Sequence, residues 1–162
     1  MASVSDPLVQ EIVQRRAIAT LATHNSDGSS HLTSVWFLFE DGRFYVGTMQ
    51  GLRKARNIAA NSQASLLVDV REPGQERGVA ATGNAAIITG KRSEDLNLRI
   101  HQRYLSSAAL ADPRVGGVFA KMDDITIEIV PSSWTSWDMR VLGKQMLGEA
   151  GATPGYFLPV ER

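Results

Sequence analysis

Val35-Trp36-Phe37-Leu38-Phe39-Glu40-Asp41-Gly42-Arg43-Phe44-Tyr45-Val46 is a pair of apolar, β-forming runs joined by Asp-Gly. That dipeptide readily takes two successive positive φ angles, so the stretch predicts a hairpin closed by a tight type I′ turn. Toward the N-terminus, Ser30 to Phe39 reads as one strand. The turn residues Asn25-Ser26-Asp27-Gly28 reverse it into a further strand over Ile18 to Thr23. Before these hairpins, Asp6 and Pro7 mark a helix start, and Leu8, Ile12 and Val13 recur at helical spacing up to about Arg16.

Toward the C-terminus the meander breaks once. Gly51 punctuates the chain after Thr48, and Leu52 to Asn61 predicts a short helix with Ala55, Ile58 and Ala59 facing inward. Strand character returns over Ser65 to Val70 and, after an exposed Pro73-Gly74 loop, over Val79 to Thr89. Gly83 marks a bulge or a close approach in that run. Ser93 followed by Glu94 and Asp95 reads as the start of a helix to about Leu105, with Leu96 and Ile100 on its inner face and His101 exposed. Ala108 to Ala120 reads either way. Ile125 to Val130 alternates as a half-buried strand that Pro131 closes. Six antiparallel strands with short helices imply an α+β, mainly β, barrel over residues 1–138. The glycine-rich residues 139–162 are expected to form an irregular tail.

At 162 residues the chain fits one domain. Its 17 Lys and Arg balance 17 Asp and Glu, which withholds the broad basic field that nucleic-acid binding needs. The absence of cysteine excludes disulfides, thiolate metal sites and Cys nucleophiles. His24, His31 and His101 are scattered without ligand spacing, so no metal site is expected. No signal-peptide pattern and no membrane-length apolar run occurs, so the expected location is the cytoplasm.

Chemistry concentrates in Gly47-Thr48-Met49-Gln50-Gly51-Leu52-Arg53-Lys54-Ala55-Arg56-Asn57, a strand end, a turn and a helix start. A helix N-terminus carries partial positive charge, so Arg53 and Lys54 are disfavoured there unless an anion lies nearby. No acidic residue occurs between Asp41 and Asp69, so such an anion comes from elsewhere. A phosphate held by backbone N–H groups, Arg53, Lys54 and the Thr48 hydroxyl would satisfy the pattern. The competing reading is a solvent-screened surface patch.

Taken in order, Ala19-Thr20-Leu21-Ala22-Thr23, Asn25 to Gly28, Val35-Trp36-Phe37, Arg53-Lys54-Ala55-Arg56-Asn57 and Ser65-Leu66-Leu67-Val68 resemble the signatures of the pyridoxamine-phosphate-oxidase-like flavin proteins. The resemblance implies a split β-barrel and a homodimer with FMN, or the deazaflavin coenzyme F-420, bound at the subunit interface. It implies a flavin-dependent oxidoreductase acting on a small planar acceptor, or else a flavin carrier or stress sensor without turnover. Carried over by position, Ser34, Val35, Trp36 and Phe37 would offer backbone contacts to the flavin ring. Thr48, Arg53 and Lys54 would hold the phosphate, with Met49 and Asn57 beside them. Trp134 and Trp137 would pack near the flavin of the partner subunit, or serve ordinary core or interface packing. Arg56 is the only further cation for the longer acidic tail of F-420, which favours FMN. A haem-binding barrel would need His24 or His31 as axial ligand.

Two departures bear on substrate. The tail Tyr156-Phe157-Leu158-Pro159-Val160 lacks the Arg-Leu-x-Pro signature of true pyridoxamine-phosphate oxidases, so the vitamin reaction is not expected. Gly78 stands roughly where such oxidases place a glutamine toward the flavin, with Gln75 outside the strand.

Overall fold

A computed structural model describes residues 2–159, so Val160 in the tail lies outside the described residues. The described elements begin with α1 (Pro7–Gln14), β1 (Ala19–His24), β2 (Ser30–Val35), β3 (Leu38–Glu40) and β4 (Arg43–Thr48). There follow α2 (Arg53–Ala60), β5 (Gln63–Val70), β6 (Arg77–Ile88), α3 (Gly90–Tyr104), α4 (Ser107–Ala111) and α5 (Gly116–Met122). The chain then forms β7 (Ile125–Asp138), α6 (Met139–Leu147) and a 3-10 turn over Gly148–Ala152.

The strands form one antiparallel sheet in the order β2-β1-β5-β6-β7-β4-β3. Its two edge strands, β2 and β3, are consecutive in the chain and separated by Trp36 and Phe37 alone. A sheet whose opposite edges lie two residues apart has to curl until they meet. This geometry makes the α+β split barrel, with its split between β2 and β3. Ser30 to Phe39 is therefore two strands, and the sheet has seven strands where the sequence predicts six. An unbroken apolar run conceals the crossing, because Val35, Phe37 and Phe39 all bury their side chains on either side of it.

Alternation then sorts the side chains. Leu21, Val35, Phe44, Leu66, Val79, Ala81, Ile127 and Ile129 fill the barrel, and Val9, Ile12 and Val13 of α1 plug it. Asp6 caps α1 by accepting from the Leu8 amide at 3.0 Å, as the Asp-Pro start predicts. A smaller core lies outside the barrel wall, where Leu96 and Ile100 of α3 meet Tyr45 and Ile88. In the β3–β4 hairpin, Asp41 and Gly42 take φ of 50° and 74°, as a type I′ turn requires.

Several elements depart from expectation. Pro131 does not close β7, which continues to Asp138 through a bulge. Gly83 pairs with Pro131 and Thr82 with Ser133, leaving Ser132 without a ladder partner. The Ser132 hydroxyl donates to the Thr82 carbonyl at 3.2 Å, and proline sits where the ladder is already interrupted. Gly83 is the close-approach point: a Cβ there would lie 2.0 Å from the Val130 carbonyl oxygen. Ser93 does not cap α3 but lies buried inside it, and Thr89 occupies the cap position without a side-chain bond. Ala59 of α2 is exposed, while Ala55, Asn57 and Ile58 are buried. The region read either way contains α4 and α5. The tail is not irregular throughout, since Asp138 caps α6 by accepting from the Arg140 amide at 3.0 Å.

Candidate functional site

β4 ends at Thr48 and α2 starts at Arg53, so Met49 to Leu52 form the turn that carries the cations. Leu52 occupies the α2 N-cap position with no side-chain hydrogen bond, and no acidic residue lies in the first turn. The Ala55 amide turns back to the Leu52 carbonyl at 3.1 Å, which leaves the Arg53 and Lys54 amides without an acceptor among the described residues, on the two residues that carry the basic side chains. Arg53 is exposed and Lys54 half-buried, and neither forms an ion pair among the described residues. Burial pushes the Lys54 ammonium below the usual lysine range, against the opposing pull of the Asp123 charge. The Thr48 hydroxyl is sealed from solvent without a hydrogen-bond partner. Of the three groups expected to hold an anion, the two cations are thus at least partly open to solvent and the Thr48 hydroxyl is not.

The acidic residues absent from this stretch of sequence arrive through the fold. Asp124 accepts from the Gln50 amide at 2.8 Å, and Asp123 lies beside Lys54. From the β1–β2 turn, Asp27 feels the Arg53 charge, although the Ser29 hydrogen bonds contribute most to lowering its pKa. Sequence reasoning missed Asp123 and Asp124, which lie about 70 positions downstream of the turn they touch.

Beside the turn, His24, Asn25, Asp27, Arg53, Arg56 and Asn57 line a cleft of ≈ 660 Å³. Asn57 is buried and donates to Thr23 Oγ1 at 3.0 Å and Asn25 Oδ1 at 3.1 Å. It ties α2 to β1, so its amide nitrogen is not free for a cofactor. Arg56 donates to the Gly51 carbonyl at 2.7 Å, and Met49 is partly exposed on the turn. A second cleft of ≈ 600 Å³ lies between α6, Gly74–Glu76 and Phe157 and contains no residue of the turn.

Ser34 lies exposed on the β2 edge strand, so this stretch has backbone groups directed away from the sheet. Val35 and Phe37 bury their side chains, and the Phe37 amide donates to the Tyr104 hydroxyl at 3.3 Å. Trp36 stacks on Tyr104, with ring centroids 4.9 Å apart, and on Phe119 at 5.0 Å. Trp134 is 8% exposed and packs against Phe39 and Phe44 in the barrel core. Of the two readings given for it, core packing is the one the structure places, and its ring is not free for a cofactor. His101, expected to be exposed, is only 3% exposed, because Asp123 accepts from its Nε2 at 2.7 Å in the packed α3 interface. His24 is exposed at the end of β1, and His31 is half-buried on β2.

A family model described as pyridoxamine 5'-phosphate oxidase matches residues 5–137, through every strand and the β4–α2 turn. The chain belongs to the pyridoxamine 5'-phosphate oxidase family. Among solved structures, a conserved hypothetical protein from Mycobacterium tuberculosis is 27% identical at a TM-score of 0.71, covering 87% of this chain and 89% of that one. An F-420 reductase is 20% identical at a TM-score of 0.59, covering 78% of this chain and 94% of its own. HutZ, a haem storage protein from Vibrio cholerae, is 15% identical at a TM-score of 0.61, with 82% and 93% covered. The last two share the fold alone. No curated protein matches the chain.

Within this family frame the Gly78 departure has a steric cause. A Cβ on Gly78 would fall 2.5 Å from the Trp137 ring, so Trp137 lies across the space that a longer side chain at 78 would fill. Trp137 is half-buried, on the sheet face opposite the barrel core.

Proposed function

We propose that the chain is a flavin-binding oxidoreductase that grips the phosphate of FMN at the β4–α2 turn. The observation carrying this reading is Arg53 and Lys54 without ion-pair partners among the described residues at the uncapped start of α2, inside the family match. Arg53 can present two parallel N–H groups to a phosphate, and Lys54 adds a point charge. The exposed β2 edge at Ser34 offers backbone groups to the ring, and Trp137 is an aromatic surface on the same outer sheet face. FMN is favoured over F-420 because the one additional cation, Arg56, is already engaged with Gly51. A bound flavin supplies hydride or electron transfer to a small planar acceptor. The protein's share is binding, orientation and exclusion of water, which needs no nucleophile of its own.

A homodimer belongs to the same reading. The outward side chains of β1, β2, β5 and β6 include Ala22, Leu32, Leu67, Ala80 and Thr82, and the carboxylate on this face, Asp69, is paired with Arg71 at 2.9 Å. Leu32 is 62% exposed. A partly apolar sheet face with so little charge is suited to isologous pairing. Sedimentation of the purified protein is expected to return twice the chain mass, and a monomer that retains tightly bound flavin would contradict the arrangement.

The absorption spectrum of the purified protein, with mass spectrometry of what heat releases, tests the cofactor. Flavin bands and the mass of FMN are expected, with reduction by NADPH and reoxidation by an added quinone. Reduction without turnover of any acceptor would make the chain a carrier instead. A colourless protein that binds neither FMN nor F-420 would end the reading.

A further inference from the structure

Arg103 and Tyr104, the last two residues of α3, both reach the end of α1 and its link to β1. Arg103 Nη2 donates to the Gln14 carbonyl at 2.8 Å and to the Arg15 carbonyl, so it takes up acceptors that the end of α1 leaves open. Its guanidinium also lies 5.5 Å from the Phe37 ring centroid. Tyr104 donates through its hydroxyl to the Ala17 carbonyl at 2.7 Å and accepts from the Phe37 amide at 3.3 Å. Its ring lies flat on Trp36, with 3° between the planes, and Phe119 of α5 stacks on Trp36 as well.

β1 and β2 pair Ala19 with Val35, and the same register carried two residues further sets Ala17 opposite Phe37. Among the described residues the ladder stops at Ala19 and Val35, where β2 ends and the chain crosses the split to β3. The Tyr104 hydroxyl stands between the Phe37 amide and the Ala17 carbonyl, so it takes the place of a direct backbone bond at the next rung. A hydroxyl suits this position because it donates and accepts at once. Phe37 has no exposed surface, so an unpaired amide there would carry its full desolvation cost.

We propose that Tyr104 is a positioning residue whose hydroxyl joins the Phe37 amide to the Ala17 carbonyl and so sets the path of the Trp36-Phe37 crossing. Its hold on the crossing stands on these bonds alone. Its service to a flavin ring beside Ser34 to Trp36 rests on the flavin reading. The two halves of the side chain play separate parts: the ring holds Trp36 by stacking, and the hydroxyl fixes the backbone. Tyr104→Phe keeps the first and removes the second.

Amide hydrogen exchange read by NMR in the flavin-free chain tests the hold. In Tyr104→Phe the Phe37 amide is expected to exchange about tenfold faster, as the loss of one buried hydrogen bond implies. Val46 and Ile127, paired across β4 and β7 with no exposed surface, report any change in overall stability, and the Phe37 effect is read relative to them. An unchanged relative rate at Phe37 overturns the inference. Fluorescence titrations with FMN and with riboflavin, which lacks the phosphate, test the service to the ring. Tyr104→Phe should weaken both by the same factor, about fivefold, because the crossing faces the ring end of the cofactor. Arg53→Ala with Lys54→Ala should instead weaken FMN far more than riboflavin. A Tyr104→Phe loss confined to FMN, or none with either flavin, overturns the link between the crossing and the ring. A wild-type protein that binds neither flavin overturns the flavin reading, and the exchange rates still decide whether Tyr104 holds the crossing.

Discussion

Gly83→Ala is expected to destabilise the protein by about 3 kcal/mol or more, enough to remove much of the ~5–15 kcal/mol that holds a domain of this size folded. The added methyl would meet the Val130 carbonyl oxygen at 2.0 Å and the Pro131 Cα at 2.8 Å. Both are backbone atoms, so no rotamer change relieves the clash. β6 and β7 would have to separate at the bulge that lets these two long strands bend round the barrel. Gly143→Ala supplies the comparison, because it lies inside α6 with nothing within 4 Å of the new methyl. There the same substitution should be neutral or stabilising by up to about 1 kcal/mol, through helix propensity alone. Urea denaturation of both variants reads the difference. A Gly83→Ala midpoint within experimental error of the wild type would mean that the bulge can open freely, and the account of the bend would be wrong.

That contrast reflects what local sequence can specify. The Asp41-Gly42 turn, the Asp6 cap and the alternation of Ile125, Ile127 and Ile129 are set within a few residues, and all are found as read. Gly83 was legible as a point of strain because glycine has few other reasons to interrupt a strand. The Trp36-Phe37 crossing was not legible, since an apolar run looks the same whether it continues along one sheet edge or jumps to the other. Pro131 misled for a related reason: it ends a ladder only if the strand is straight, and β7 is bulged there. Ser93 misled because a serine ahead of two acids has the composition of a cap. Its actual partner, Thr126, is 33 residues away. At the candidate site the cations are local, and were read. The carboxylates that act on them come from the α5–β7 junction and the β1–β2 turn, and could be found only once the barrel had brought those segments to the β4–α2 turn.

The double substitution Arg53→Ala with Lys54→Ala is expected to weaken FMN binding at least tenfold, the largest effect on binding that any pair at the turn should produce. Charge-assisted hydrogen bonds contribute roughly 1.5–3 kcal/mol each, and about 1.4 kcal/mol is already tenfold in affinity. The two side chains do not act alike. Arg53 is exposed and loses part of its effect to salt, whereas Lys54 is half-buried and screened less. Lys54→Ala alone should therefore keep most of its penalty as ionic strength rises, while the Arg53→Ala penalty should shrink. Neither substitution removes a core contact or an ion pair among the described residues, so the thermal midpoint of the flavin-free protein should stay nearly unchanged. Removing two cations from the α2 start should even relieve a little dipole repulsion. Fluorescence quenching titrations at low and high salt, with melts of the flavin-free variants, separate these effects. Undiminished affinity in the double variant would place the phosphate elsewhere, and the cleft beside Arg56 and His24 would be the next site to examine.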